Sequence, residues 1–269
     1  MNYGKQIEKY LVKIDEGKAI AYSQFLLLLT SSELNLDVSN KDFEVRKLSG
    51  NAYRVISIAP WLRDELDKIV AEAPVDRNSA ARQNNSHAYS VNGSMLLVRE
   101  GASNPKVVMF DTDGKFSPES KGYTHALLVE NRQNFISIDK TIPFVAEHCD
   151  ISDTDMRSML TVFTEGNAIS NFLHKPFLSQ FKTLFLLLDV DAGGLQITSN
   201  LITLLPDSHF VFLAPMNIRE RLESVRAPAK TEAVEKAIRL GRKHPQLTHI
   251  AQLIYDTKRE LEQESYLDE

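Results

Sequence analysis

The segment from residue 182 to residue 197, KTLFLLLDVDAGGLQI, constrains the fold of this chain more than any other stretch. Its apolar run, Phe185 to Leu188, is typical of a strand that is buried on both faces of a parallel sheet. Asp189 and Asp191 follow directly, at the end of the strand where open α/β sheets place their ligands. The two glycines after them allow a tight turn into a helix. The first hypothesis is therefore a site for a divalent cation.

Composition favours a soluble globular protein, since 43% of the 269 residues are hydrophobic and 25% are charged. This length predicts two domains. No apolar stretch approaches the roughly 20 residues that a transmembrane helix needs, and the start, MNYGKQIEKY, has no apolar signal core. The single cysteine, Cys149, fits a reducing compartment. We therefore expect a cytoplasmic protein without a membrane partner, with association with the nucleoid as a further option.

The formal net charge of −5 argues against a protein that coats nucleic acid through bulk charge. It does not exclude a nuclease, because acidic metal ligands and a locally basic groove can coexist in one chain. Overall charge therefore leaves the function class open.

Residues 5–70 predict two helices, a hairpin and a third helix. Gly17 ends the first helix, Ser23 is the expected cap of the second, and Pro60 opens the third. Phe43 to Ile58 alternates around an SGN turn, as in a hairpin. This order is that of a winged helix, a module that binds DNA in some proteins and other proteins elsewhere.

The stretch 73–93 is polar and predicts a linker with a short exposed helix. Its alternative function is DNA binding, with Arg77, Arg82 and His87 as donors to phosphate. From Ser94 onward, short β-rich runs alternate with helical stretches, which predicts a mainly parallel sheet with right-handed crossovers. The final stretch, from Thr231 to Leu267, is charged and predicted to be helical.

A second acid follows a second apolar strand, in HALLVENRQNF, where Glu130 ends the run. If this strand lies beside the one that ends at Asp189, then Glu130, Asp189 and Asp191 converge on one edge of the sheet. Three carboxylates there repel each other unless a cation neutralises them, and oxygen ligands select Mg²⁺ or Mn²⁺. The alternative is that each acid only caps a helix, although one cap explains one acid and not two.

The pair LLVE and LLLDVDAGGLQI resembles the Toprim domain, the metal-binding fold of topoisomerases, DnaG-type primases and OLD-family nucleases. The resemblance covers about Tyr123 to Pro215. A winged-helix-like module before such a domain is similar to the A subunit of topoisomerase VI and to the JetD nuclease subunits of Wadjet plasmid-defence systems. GKAIAYSQF, GNAYRV, VENRQNF and RELEQES carry this narrower resemblance.

The Toprim resemblance implies a role for each matching residue. Glu130 would bind metal or transfer a proton, Asp189 and Asp191 would bind Mg²⁺ or Mn²⁺, and Gly193 would allow the backbone to approach a phosphate. Glu165, at the end of the intervening strand, is a candidate outer metal ligand, or else a cap or surface acid.

One departure from topoisomerase VI favours hydrolysis over transesterification. Those enzymes cut DNA with a tyrosine in the winged-helix domain, and neither Tyr22 nor Tyr53 has the expected neighbours. The resemblance to JetD thus implies DNA cleavage by a metal-activated water, with a homodimer and SMC-complex subunits as partners. A topoisomerase-like transesterase and a non-catalytic DNA-binding or interaction module remain the alternatives.

Several charged residues are secondary candidates. Arg132, Lys175 and His174 could steady a phosphate near the acids, or could be solvated surface groups. Glu262 and Glu264 could reach toward the metal site, or could lie on an exposed helical face. The predicted organisation is a winged-helix-like domain (1–75), a connection with the first strands (76–120) and a Toprim domain with carboxyl-terminal helices (121–269).

Overall fold

The computed structural model describes residues 3–34, 36–74, 77–82, 91–117 and 122–267. It divides the chain into two compact units, residues 1–92 and 93–269. The strands between residues 94 and 117, which the sequence groups with a connection, belong to the sheet of the second unit. No helix in the described ranges is long and apolar enough to cross a membrane.

The first unit combines helices with a small antiparallel sheet of order β1-β3-β2. Its helices are α1 (Tyr3–Asp15), α2 (Tyr22–Leu29), α3 (Pro60–Ala71) and α4 (Arg77–Ala81). Its strands are β1 (Ile20–Ala21), β2 (Phe43–Ser49) and β3 (Ala52–Ile58). Ile7, Phe25 and Leu66, from three different helices, are fully buried in its core.

Local signals in the sequence account for most of these boundaries. Gly17 has a φ of 67°, which stops the chain from continuing α1, and Pro60 occupies the first turn of α3. The predicted hairpin and three helices are confirmed. The predicted cap at Ser23 is wrong, because α2 begins at Tyr22 and Ala21 occupies the cap position. The Ser23 hydroxyl instead donates to Asn51 Oδ1 at 2.7 Å.

The second unit is an α/β unit built on a mixed sheet of order β10-β9-β7-β8-β4-β5-β6. Its strands are β4 (Ser94–Arg99), β5 (Lys106–Phe110), β6 (Phe116–Ser117), β7 (His125–Val129), β8 (Met159–Phe163), β9 (Thr183–Leu187) and β10 (His209–Phe212). The four strands β10, β9, β7 and β8 are mutually parallel, whereas β4, β5 and β6 pair antiparallel. Because a short turn and no helix joins β4 to β5, these two strands pair as a hairpin.

Helices cover both faces of this sheet. They are α5 (Arg132–Ile136), α6 (Ile138–His148), α7 (Asp153–Arg157), α8 (Lys175–Leu178), α9 (Ala192–Leu204), α10 (Ile218–Ser224), α11 (Thr231–Lys243) and α12 (Thr248–Thr257). Short 3₁₀ turns occupy Gly166–Ser170, Phe172–His174, Pro245–Leu247 and Gln263–Leu267. The predicted helical end is thus correct only in part, since the chain leaves α12 at Thr257 and is not helical again until Gln263.

Alternate residues of the central strands feed two separate cores. On one face, Leu127 and Leu187 pack in a cluster with Phe135 and Phe144 of α5 and α6 and with residues of α10, α11 and α12. On the other face, Leu128 and Leu186 pack in a cluster that includes residues of α8 and α9. Burial on both faces is why these strands are continuous apolar runs in the sequence.

Candidate functional site

The carboxyl ends of β7 and β9 form the edge of the sheet that carries the candidate site. The two strands are neighbours and run parallel, with Val129 opposite Leu187. The chain after β7 enters helices on one face, whereas the chain after β9 enters α9, which packs mainly on the other. Such a divergence of connections opens a crevice at the strand ends, the usual ligand position in open α/β sheets. The expected adjacency of these two strands in the sheet is confirmed.

Glu130 is the first residue after β7, and its side chain is half-buried at this edge. Its Oε2 atom accepts a hydrogen bond from the backbone amide of Asp189 at 3.2 Å. Burial raises the pKa of Glu130 to about 7, and the charge of Asp189 adds to the rise. The hydrogen bond from the Asp189 amide opposes these effects, and the charge of Asp191 adds a smaller rise.

Asp189 is half-buried and faces the carboxyl-terminal part of the chain. Its Oδ1 atom accepts a hydrogen bond of 2.9 Å from the backbone amide of Gln263. Burial is the largest cause that raises the pKa of Asp189, and the charges of Asp191 and Glu262 act in the same direction. The backbone and side chain of Gln263 both lower it. Asp189 therefore lies near one like charge from its own loop and another from the carboxyl-terminal part of the chain.

Asp191 caps the helix α9. Its Oδ1 atom accepts a hydrogen bond of 2.6 Å from the backbone amide of Gly194. The carboxylate of Glu260 reaches the same helix end, where its Oε1 atom accepts from the backbone amide of Ala192 at 3.0 Å. Two carboxylates at a helix amino terminus are stabilised by the unpaired amides and by the helix dipole. Capping, the simpler interpretation of an acid after a strand, is thus part of what Asp191 does.

The two glycines after Asp191 keep the turn compact. A Cβ atom at Gly194 would overlap the backbone carbonyl of Asp189, so only glycine fits there without movement of the chain. A Cβ atom at Gly193 would lie 3.1 Å from the Asp191 carboxylate, which is tighter than ordinary contact. Gly193 thus keeps space open beside the acid.

The segment from Arg259 to Leu267, called here the C-terminal segment, closes one side of the site. Leu261 forms an antiparallel bridge with Val190, with bonds of 2.9 and 3.1 Å between their backbone groups. The segment borders a cleft of about 610 Å³ that is also lined by Asp191 and by the loop around Pro228. Glu262 and Glu264 line this cleft, so both lie on the side of the predicted site.

Arg132 and Glu165 lie together beside a different cleft, of about 500 Å³, between β4, α5 and the end of β8. Arg132 is exposed, and its guanidinium lies 6.0 Å from the ring centroid of Phe163. Glu165 is exposed and has a φ of 49°, an unfavourable conformation for a residue with a side chain. The structure does not bring Glu165 into contact with the other three acids.

Lys175 and His174 are not part of the acidic edge. Lys175 begins α8, whose Phe177 packs against Phe110 and Phe116 of β5 and β6, far from β9 in strand order. His174 is buried and donates through Nδ1 to the carbonyl of Ile169 at 3.1 Å, while its Nε2 accepts from the Ser94 hydroxyl at 2.8 Å. Burial lowers the pKa of His174. Its role is structural.

The other predicted DNA contacts belong to the first unit or are not described. Arg77 and Arg82 lie in and directly after α4, and His87 lies outside the described residues. Tyr22 is buried, and its hydroxyl donates to Asn40 Oδ1 at 3.1 Å. Tyr53 packs against the Tyr22 ring with centroids 5.4 Å apart. Tyr22 is thus a core residue of that unit, and Tyr53 is partly buried against the same core.

Gln263 and Glu260 are site residues that the sequence interpretation missed. The motif RELEQES contains both, but nothing in its pattern indicates that it pairs with Val190. Such pairing joins segments about seventy positions apart, and only the folded chain defines it.

In the described ranges, no group of three or more His, Cys, Asp or Glu side chains is arranged to hold a metal ion. Backbone amides engage one oxygen each of Glu130, Asp189 and Asp191. Comparison of the sequence with models of known protein families and with curated proteins found no match.

Proposed function

We propose that this protein cleaves the phosphodiester backbone of DNA by hydrolysis with the help of Mg²⁺ or Mn²⁺. The observation that carries this proposal is the convergence of Glu130, Asp189 and Asp191 at the carboxyl edge of β7 and β9, where burial, together with the charges of the two aspartates, raises the pKa of Glu130. Neighbouring, partly buried carboxylates are costly unless a cation is bound between them.

The same convergence supports the narrower assignment to the Toprim fold. A glutamate after one central parallel strand and an Asp-x-Asp element after its neighbour are the pattern expected from the resemblance. The helices and hairpin of the first unit likewise support a winged-helix module that contacts duplex DNA. A JetD-like nuclease subunit, working as a homodimer with SMC-complex subunits, is the proposed biological context.

The carboxylates fit Mg²⁺ or Mn²⁺ in chemistry, since these ions prefer oxygen ligands. Glu130, Asp189 and Asp191, which the described structure does not group around one point, would each offer the ion the carboxylate oxygen that makes no backbone hydrogen bond among the described residues. A bound ion would supply charge stabilisation at the phosphate and lower the pKa of a water nucleophile.

Glu130 is the proposed group for proton transfer. Burial raises its pKa to about 7, so that without a bound cation its carboxyl group exchanges a proton near neutral pH, whereas a cation bound to it would lower this pKa. Arg132, two residues further along and exposed, lines the neighbouring cleft, and it would neutralise a phosphate of DNA that extends from the acidic edge into that cleft. The backbone amides at the start of α9 form a helix end of the kind that binds anions. The carboxylates of Asp191 and Glu260 accept hydrogen bonds from two of these amides.

A non-catalytic DNA-binding or interaction module is the second candidate. One observation favours it: the described acids bond to backbone amides and are not grouped around a single point. A topoisomerase-like transesterase is the weaker alternative, because Tyr22 is buried in the core and Tyr53 is partly buried against it.

The test is a cleavage assay with the purified full chain on supercoiled, linear and single-stranded DNA, with Mg²⁺, Mn²⁺ or Ca²⁺. We expect cutting that Asp189→Asn and Glu130→Gln reduce by at least 100-fold and that Glu235→Gln leaves unchanged. Glu235 is a suitable control because its side chain is exposed on α11. The assay includes SMC-complex subunits if the gene neighbourhood encodes them.

Calorimetry with Mn²⁺ on the same variants separates the alternatives. Cutting that survives Asp189→Asn contradicts the proposed active site. Absence of both cutting and acid-dependent Mn²⁺ binding favours the non-catalytic module, and a tyrosine-linked DNA adduct favours the transesterase.

A further inference from the structure

The C-terminal segment joins the two loops that carry the acids. The backbone amide of Gln263 donates to Asp189 Oδ1 at 2.9 Å, and its carbonyl accepts from Asn134 Nδ2 at 3.2 Å. Asn134 is fully buried near the start of α5, four residues after Glu130. Gln263 therefore bridges the chain after β7 and the chain after β9.

The segment is held in place by contacts on both sides of Gln263. Leu261 pairs with Val190, between the two aspartates. Tyr266 is 1% exposed and stacks on Phe144, with centroids 5.0 Å apart and an interplanar angle of 8°. The position of the C-terminal segment is therefore fixed by the main-chain bridge at Leu261 and by the aromatic contact of Tyr266.

The side chain of Gln263 is the unusual part of this arrangement. It is fully buried, and neither Oε1 nor Nε2 has a hydrogen-bond partner among the described residues. This side chain starts beside the Asp189 carboxylate, because the backbone amide of the same residue donates to Asp189 Oδ1 at 2.9 Å. A buried amide without partners is unfavourable, and an apolar side chain of similar size would fill the same space at no such cost.

We propose that Gln263 is a positioning residue, whose side-chain amide orients the Asp189 carboxylate and completes its hydrogen bonding when a divalent cation is bound. The expected effect of Gln263 on cleavage rests on the proposed function, whereas the hydrogen bond from its backbone amide to Asp189 does not. Groups that orient a metal ligand commonly change metal affinity by 10- to 100-fold when they are removed.

The first experiment compares Gln263→Met with wild type, since methionine keeps the volume and the backbone amide but removes the side-chain donor. Gln196→Met is the matched control, because Gln196 lies on α9 and bonds Asn200 instead. We expect the Mn²⁺ dissociation constant, measured by calorimetry and electron paramagnetic resonance, to rise at least tenfold in Gln263→Met only. The unfolding temperature of the metal-free Gln263→Met variant should equal or exceed that of wild type.

The second experiment needs no metal. In nitrogen-15 spectra of the metal-free protein, the side-chain NH₂ of Gln263 should exchange slowly with solvent because it is buried, and its resonances should shift in Asp189→Asn, which changes the neighbouring group. If wild type binds no Mn²⁺ but this response is seen, the proposed function fails and the positioning role stands. Unchanged Mn²⁺ affinity in Gln263→Met, or an NH₂ group that does not respond to Asp189→Asn, overturns the inference even if the protein cuts DNA.

Discussion

The Oε2 atom of Glu130 accepts a hydrogen bond from the backbone amide of Asp189 at 3.2 Å, across 59 positions of sequence. This bond ties the loop after β7 to the loop after β9. Burial of the Glu130 carboxyl and the nearby negative charges of Asp189 and Asp191 raise its pKa to about 7, whereas the hydrogen bond itself acts to lower it. The acidic edge is therefore a place where the fold tolerates electrostatic repulsion.

The stability of the metal-free protein should depend on the ionisation of Glu130. Its pKa in the folded state, about 7, exceeds the ordinary value of 4.5, so its favourable contribution is complete below pH 4.5 and is lost as pH rises through 7. Glu130→Gln should thus be more stable than wild type at pH 8, by roughly 1–2 kcal/mol after allowance for solvent screening. The difference should vanish below about pH 4.

Thermal unfolding at several pH values checks this expectation by comparing the variant with wild type. The comparison with wild type is needed because two histidines change the stability of both proteins with pH in the opposite sense. Burial lowers the pKa values of His174 and His244, so both residues destabilise the folded state as pH falls below 6.5. A difference between variant and wild type that does not change with pH would contradict the assigned pKa.

Gly194 should tolerate no side chain. A Cβ atom there overlaps the Asp189 carbonyl, which is backbone and cannot move aside easily. We expect Gly194→Ala to lower the free energy of unfolding by about 2–3 kcal/mol, a typical effect of overpacking. Gly193→Ala is the control, since its Cβ meets only the Asp191 side chain, and we expect a loss below about 1 kcal/mol. Denaturant unfolding measures both, and equal losses would refute the assigned clash.

Replacement of Glu165 by glycine should stabilise the protein. Its φ of 49° costs a non-glycine residue about 1–2 kcal/mol. Glycine avoids this cost but loses more backbone entropy on folding, which offsets part of the gain. We expect Glu165→Gly to stabilise the protein by about 0.5–1 kcal/mol. Lys258→Gly, at the similarly strained end of α12, should gain less because the Lys258 ammonium lies 3.4 Å from the Tyr255 ring centroid. Destabilisation by Glu165→Gly would show that its side chain makes a favourable contact.

The tyrosines of the first unit should be dispensable for chemistry. Tyr22→Phe removes the hydrogen bond to Asn40 and should cost about 1 kcal/mol of stability. Cleavage by Tyr22→Phe and Tyr53→Phe should stay within about twofold of wild type, since neither hydroxyl would act as a nucleophile. Loss of cutting in a variant that unfolds at the normal temperature would revive the transesterase alternative.

Much of the local structure was predictable because each strand and helix carries its own signal. The apolar run from Phe185 to Leu188 predicts a strand with two buried faces, and β9 has both. Pro60 and Gly17 mark helix ends that depend on their own backbone restrictions. The positions of Glu130, Asp189 and Asp191 at strand ends follow from the same patterns.

The sequence by itself determined which residues end the buried strands, since burial on two faces leaves a continuous apolar run that stops at the first polar residue. Only the tertiary structure decided which strands are neighbours: β7 pairs with β9 as well as β8, and Leu261 pairs with Val190. Such pairings are set by the free energy of the whole packed sheet, to which distant segments contribute together. For this reason Gln263, which lies 74 positions from Asp189, entered the site only in the folded chain.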